Sequence, residues 1–344
     1  MLRIIGDINL TEGAFDVGIG IGSKLKQGLD PFKNIERNAE DKWIGNFEGV
    51  AATVSSRRGV AAEMFRTKPE MLRRLRHCDY YGVANNHVME HGDEAFGQTL
   101  NAIEGFGSEY FGSNENKSLT FEHQGKKISL TAFSLRPDNF TDKPLYCSLP
   151  ENCEIAVELQ RIKSKGSNFH IAFVHGGIEF INYPYNDEKK FYRSIIDMGY
   201  DMVIGMHPHV LQGYEVWHGK HIFYSIGNFL FNMPWNKTKY GAMVTVDFAG
   251  AKPKVGYEYI HIGDDLQPIV VGENDVPEDC RFGYLNKLLV INEENEKYFA
   301  HANEALHAYR KANYKWILGN LIKMPKDVVC EMLIDFIKRR IINK

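Results

Sequence analysis

A chain of 344 residues is long enough for one large domain with a smaller addition, and 44% hydrophobic with 25% charged residues excludes a disordered chain. A net charge of -3 and a pI near 6.5 supply no general attraction to nucleic acid or to an anionic membrane, so no nucleic-acid partner is expected. Five scattered cysteines without C-x-x-C spacing read as reduced thiols rather than a disulfide framework.

Met1-Leu2-Arg3-Ile4-Ile5 runs straight into Gly6-Asp7, which predicts a core strand over 2–5 rather than a secretory signal. No segment approaches the roughly 18 apolar residues of a spanning helix, and the chain reads as cytoplasmic with no transmembrane segment. Further apolar runs predict strands over 42–44, 80–84, 128–133, 170–174 and 202–204. Between them, Thr67-Lys68-Pro69-Glu70 predicts a capping box opening a helix that buries Met71, Leu72 and Leu75. A second helix starts at Asn186-Asp187, buries Phe191, Ile195 and Ile196, and stops at Gly199. Residues 214–217 and 222–224 flank His218-Gly219-Lys220-His221 as a hairpin, followed by strands over 242–248 and 257–262. Helical patterns over 293–318 and 325–342 then predict an extension, so the chain divides into 1–275 and a helical tail over 276–344. This order specifies an α/β protein with helices covering sheets.

Polar residues capable of binding a metal stand at the ends of five of these strands. They are Asp7 in Gly6-Asp7-Ile8-Asn9, Glu48 in Asn46-Phe47-Glu48-Gly49, Asn86 and His87 in Asn85-Asn86-His87, His175 before Gly176-Gly177, and His207 and His209 in Gly205-Met206-His207-Pro208-His209. Singly, each has an ordinary explanation: Asp7 as a turn residue, Glu48 as a solvent-facing acid, His175 as a core histidine, and the H-x-H pair as surface imidazoles. Together they form a mixed nitrogen and oxygen donor set suited to Mn, Fe or Zn, placed where α/β sheets bind their ligands.

In order, these segments, with His175-Gly176-Gly177-Ile178-Glu179-Phe180, Tyr183-Pro184 and Tyr224-Ser225-Ile226-Gly227-Asn228-Phe229, resemble the bacterial capsule-synthesis CapA or PGA_cap family of the calcineurin-like metallophosphoesterase superfamily. The resemblance spans residues 1–250. It implies a four-layer α/β/β/α metallophosphoesterase-like sandwich, followed here by the helical extension, and a site for two divalent metal ions. It also implies that Asp7 and His209 bind one ion, that Asn86, His175 and His207 bind the other, and that Glu48 bridges them. His87 takes the place of the catalytic acid or transition-state stabiliser, and Asn9 stands where many relatives have a metal-binding histidine. Glu90, Gly176 and Phe180 depart from the family's usual Asp, Trp and Tyr.

The expected activity is metal-dependent hydrolysis of a phosphoester on an anionic small molecule or polymer, in capsule, exopolysaccharide or poly-γ-glutamate metabolism. Two alternatives stand beside it: an amide hydrolase or transferase on a glutamyl or envelope polymer, and a non-catalytic accessory of polymer synthesis. Arg57-Arg58 hints at an anionic ligand, and Asn228 reads equally as a packing residue or as one that orients a ligand loop or touches substrate. Residues 336–342 read as an amphipathic helix docked on its own protein, with an anionic membrane surface or a partner helix as the alternative. Oligomeric state is not legible.

Overall fold

Period-two alternation divides the central strands between two different cores. In the computed structural model, which describes residues 1–11 and 19–341, Ile171 and Phe173 of the Phe169–His175 strand point into the main core, whereas Ala172 and Val174 pack beneath two helices. Met202 and Ile204 against Val203 repeat this division on the neighbouring Met202–Met206 strand. Such strands are buried on both faces, which is why they read as continuous apolar runs.

Two sheets form the middle of the molecule. The larger runs, edge to edge, Pro268–Val271, Lys254–Ile262, Tyr240–Asp247, Leu2–Ile8, Lys42–Phe47, Tyr80–Gly82 and Glu109–Phe111, with Asn228–Leu230 also paired to Leu2–Ile8. The smaller runs Tyr214–Trp217, Lys220–Phe223, Met202–Met206, Phe169–His175, Lys126–Ser134 and Ser118–His123. Helices Asn152–Ser164 and Asn186–Met198 cover its outer face through Ile155, Leu159, Ile162, Tyr192, Ile195 and Ile196. On the larger sheet, helices Ile21–Lys26 and Asp93–Gly105 bring Ile21, Leu25, Phe96 and Ile103 into the main core. The result is a four-layer α/β/β/α sandwich.

Three expectations change. The first strand continues to Ile8, so Asp7 lies within it rather than in the loop beyond; its pairing with Asn46 and Asn228 extends the ladder past an irregularity after Ile4. The expected capping-box helix is a 3-10 turn, Pro69–Leu75, with Lys68 at its N-cap and no side-chain cap bond. Thr67 is instead a strand residue paired with Ala51, so the long-range pairing overrides the local capping signal. Met71, Leu72 and Leu75 are buried as expected.

The C-terminal helices are Phe282–Leu288, Asn295–Asn320 and Lys326–Ile341. Phe282 and Leu285 belong to the main core, and Tyr298 is buried against Tyr183. The long helix lays Ala305, Leu306 and Tyr309 on Phe180 and Phe231, so it docks at helical spacing onto the loops at the strand ends. The segment 336–342 lies outside the described side chains, apart from Ile337, which is exposed. Among the described residues, no helix is long and apolar enough to cross a membrane.

Candidate metal centre

Both sheets deliver polar residues to the same edge because the strands that carry them run parallel. Leu2–Ile8, Lys42–Phe47 and Tyr80–Gly82 are parallel in one sheet, as are Phe169–His175 and Met202–Met206 in the other. Their C-terminal ends gather Asp7, Glu48, Asn86, His87, His175, His207 and His209, all of them buried except His87, which is partly exposed.

Glu48 sits at the centre. Its Oε1 lies 3.6 Å from His175 Nε2, 3.7 Å from His209 Nε2 and 4.0 Å from His87 Nε2, while neither of its oxygens has a hydrogen-bond partner among the described residues. Both ring nitrogens of His207 likewise have no hydrogen-bond partner among the described residues, and its ring lies 4.8 Å from that of His175. Two sets of donor atoms within 4.8 Å of one another share Glu48: one with His207 and His209, the other with Asp7 and His175. Asn86 Oδ1 is 2.8 Å from His175 Nε2.

The electrostatics fit a cation. Burial pushes Asp7 up to about 7 and Glu48 well above the usual carboxylate range, the latter also by repulsion from Asp7 and Glu179. Burial also holds His209 down to about 4 and His175 and His207 well below the ordinary imidazole value. Neutral imidazoles present lone pairs, and buried carboxylates are costly to ionise without a counter-ion; both are the conditions under which a divalent metal binds. The orphaned oxygens of Glu48 and the orphaned nitrogens of His207 therefore fit the metal site that the motifs imply.

The H-x-H loop is held under strain. His207 and His209 have φ of 100° and 57°, a left-handed conformation that costs on the order of 1–3 kcal/mol per residue and persists only when its surroundings enforce it. Here Asp7 Oδ2 accepts from the His207 N–H at 3.2 Å, and Pro208 O accepts from the Phe180 N–H at 2.9 Å. Asn228 brackets His209, its Oδ1 3.0 Å from Nδ1 and its amide donating to the His209 carbonyl at 3.3 Å. Asn228 is thus an orienting residue. Gly6 serves the same backbone: a Cβ there would stand 1.9 Å from the Gly227 carbonyl, so its role is close strand approach rather than room for a ligand.

His87 is oriented from two sides. A Glu90 oxygen lies 2.9 Å from its Nδ1, and the other oxygen of Glu90 pairs with Arg57. Because a carboxylate engaged by a guanidinium accepts, Nδ1 carries the hydrogen and Nε2 faces Glu48. Burial, His209 and Arg57 hold His87 down to about 3, so it is neutral at pH 7. Phe65, itself at φ 53°, stacks on the imidazole with centroids 3.6 Å apart and planes 1° from parallel.

Asn9 departs from the expected ligand set. Its Nδ2 donates to the Glu48 carbonyl at 2.7 Å and its Oδ1 accepts from the Thr11 N–H at 2.9 Å, so the amide ties two backbone segments together. Arg57 likewise serves Glu90. Sequence reasoning gave no role to Asn46, which donates to Asp7 at 2.8 Å and lies 3.3 Å from His175 Nδ1, although its i, i+2 spacing to Glu48 in an extended chain is the signal that places both on one face. Phe65 carried no local signal.

The profile of the family described as bacterial capsule synthesis protein PGA_cap matches residues 2–233. A Bacillus subtilis protein named PGA biosynthesis protein CapA is 29% identical over 217 residues, 60% of this chain and 57% of the relative. The capsule biosynthesis protein CapA of Bacillus anthracis is 30% identical over 176 residues, 47% of this chain and 42% of the relative. The chain thus spans about half the length of these curated relatives. A solved structure described as a novel phosphatase from Mycoplasma pneumoniae is 14% identical, covers 76% of this chain and 92% of its own, and has a TM-score of 0.47.

Proposed function

The chain belongs to the bacterial capsule synthesis PGA_cap family, and from that premise we propose that it is a metal-dependent phosphoesterase acting on an anionic small molecule or polymer in capsule, exopolysaccharide or poly-γ-glutamate metabolism. The observation that carries this reading is the convergence on Glu48. A fully buried carboxylate that meets three imidazoles at 3.6–4.0 Å, without one hydrogen bond among the described residues, supports a metal-ligand set over a structural ion pair.

Asp7, Glu48, Asn86, His175, His207 and His209 would hold two divalent ions of the Mn, Fe or Zn type, with Glu48 common to both. Such ions, when bound, polarise a phosphoryl oxygen and make water acidic near neutral pH. The protein supplies the rest. Glu90 fixes the tautomer of His87 with the hydrogen on Nδ1, so Nε2 would take the proton that the attacking water releases and pass it to the leaving oxygen, with Glu90 stabilising the imidazolium in between. Asn46 and Asn228 fix the orientation of Asp7 and His209, and Phe65 restricts the His87 ring to one plane.

The test is metal analysis of protein reconstituted separately with Mn, Fe and Zn, together with hydrolysis of bis(para-nitrophenyl) phosphate and para-nitrophenyl phosphate. Metal-dependent turnover is expected, with kcat lowered about 10²–10⁴-fold in His87→Ala and bound metal lost in Asp7→Ala. Protein that retains no metal and hydrolyses neither ester with any ion overturns the reading.

A further inference from the structure

Beside the metal centre, a cavity of about 270 Å³ opens between the strand-end loops and the Asn295–Asn320 helix. Phe65 and Phe231 form its inner wall. The same Phe65 ring stacks on His87, and the same Phe231 ring meets His209 edge-on at 4.7 Å, so whatever fills the cavity is one side chain away from the reacting groups. Tyr309, Asn313 and Trp316 form the outer wall, at the i, i+4, i+7 spacing that puts them on one helix face.

The chemistry of this lining is specific. Among the described residues, none that lines the cavity is charged. Trp316 is half-buried and stacks on no other ring among the described residues, and the Asn313 amide makes no hydrogen bond among them. Flat aromatic faces with amide groups at the rim recognise a ring through its face and its polar edge together. A carboxylate or phosphate would find no counter-charge among the described lining residues, which is costly. The anionic part of a substrate belongs at the metal centre, and the neutral part belongs here.

We propose that this cleft is the subsite for an uncharged ring bearing polar substituents, a sugar or a nucleobase, carried by the substrate next to its phosphoryl group. The Asn295–Asn320 helix is then a specificity element through Tyr309, Asn313 and Trp316. This deepens the phosphoester reading and rests on it for the placement of the anionic group. It also counts against a stretch of glutamyl carboxylates in this position.

The test has a kinetic arm and a binding arm, both on metal-reconstituted full-length protein. Phosphate release is compared for uridine phosphate, a glucosyl phosphate and glycerol phosphate, which carries no ring. One ring ester is expected to exceed glycerol phosphate in kcat/KM by about tenfold or more, the range of a single stacking contact. Trp316→Ala and Asn313→Ala are expected to cut that ratio by about tenfold. Leu318→Ala, a change on the exposed side of the same helix, leaves the ratio as it is. In the binding arm, uridine and methyl glucoside are titrated against tryptophan fluorescence, which requires no hydrolysis. Saturable quenching by one of them, weakened in Asn313→Ala, supports the subsite even if no ester is cleaved, in which case the phosphoester reading fails alone. A ratio near one, with no saturable response to either ring compound, overturns the subsite whatever the hydrolysis shows.

Discussion

His87 and Glu90 meet at 2.9 Å, Nδ1 to carboxylate, within the loop that follows the Tyr80–Gly82 strand, and Arg57 closes on the far oxygen of the same carboxylate. The Glu90 side chain reaches back three residues to hold the imidazole with Nε2 toward Glu48. Glu90→Gln keeps the shape but leaves the imidazolium without its charge partner. We expect kcat to fall about 10–100-fold with metal content unchanged, read by steady-state rates and elemental analysis of the same samples. Wild-type turnover in this variant would remove Glu90 from the proton pathway.

Glu48 is expected to have opposite effects on stability in the two metal states. In chelated protein its buried carboxylate has no hydrogen-bond partner among the described residues, so Glu48→Gln is expected to raise Tm by a few degrees, corresponding to about 1–3 kcal/mol. In metal-reconstituted protein the same change removes the shared ligand, and Tm falls below that of the wild type. Thermal melts with and without chelator show the crossing; a shift of the same sign in both states would contradict the role of Glu48.

Asn228 is expected to act on metal affinity through His209. Asn228→Ala deletes the contacts to His209 Nδ1 and to the carbonyls of His209 and Thr238, leaving a ligand held in a left-handed conformation without its brace. Metal affinity should drop about 10–100-fold, as is usual when the partner of a ligating imidazole is lost. Competition with a chromogenic chelator measures this directly. An unchanged dissociation constant would reduce Asn228 to a packing residue.

Glu188 is expected to make the stability depend on pH outside the ligand set. It lies in the first turn of the Asn186–Met198 helix, and burial pushes its carboxyl up to about 8 from an ordinary value of 4.5. A raised acid pKa means that the folded state holds the proton longer than the unfolded one. Its contribution is therefore fully present below about 4.5 and is lost as pH climbs toward 8. Glu188→Gln removes that loss. The variant should gain on the order of a few kcal/mol relative to wild type between pH 4.5 and pH 8, visible as a Tm difference that widens with pH. A difference that stays constant with pH would mean that Glu188 does not titrate in this way.

Much of the site was legible because a parallel strand buried on both faces is an apolar run that stops abruptly. The residue at the stop stands at a sheet edge whatever the rest of the fold does, and Glu48, His175 and His207 were found in this way. Thr67-Lys68-Pro69-Glu70 shows where the same method fails. Its local signal is that of a helix start, but Thr67 is held by a ladder to Ala51, and no window around residue 67 contains that partner.

By itself, the sequence determined an α/β order with helices covering sheets and the list of residues able to bind a metal, because strand period and strand-end chemistry are local properties; the four-layer sandwich was implied by the family resemblance of the ordered motifs. The tertiary structure decided which of those residues meet. Register set Asp7 against Asn46 and Asn228, took the Asn9 amide for backbone contacts, and turned the expected helical extension into a wall of the cleft. These relations join positions from one end of the chain to the other, from residue 7 to residue 316. They follow from the packing of sheet on sheet and helix on loop, which periodicity along the chain does not encode.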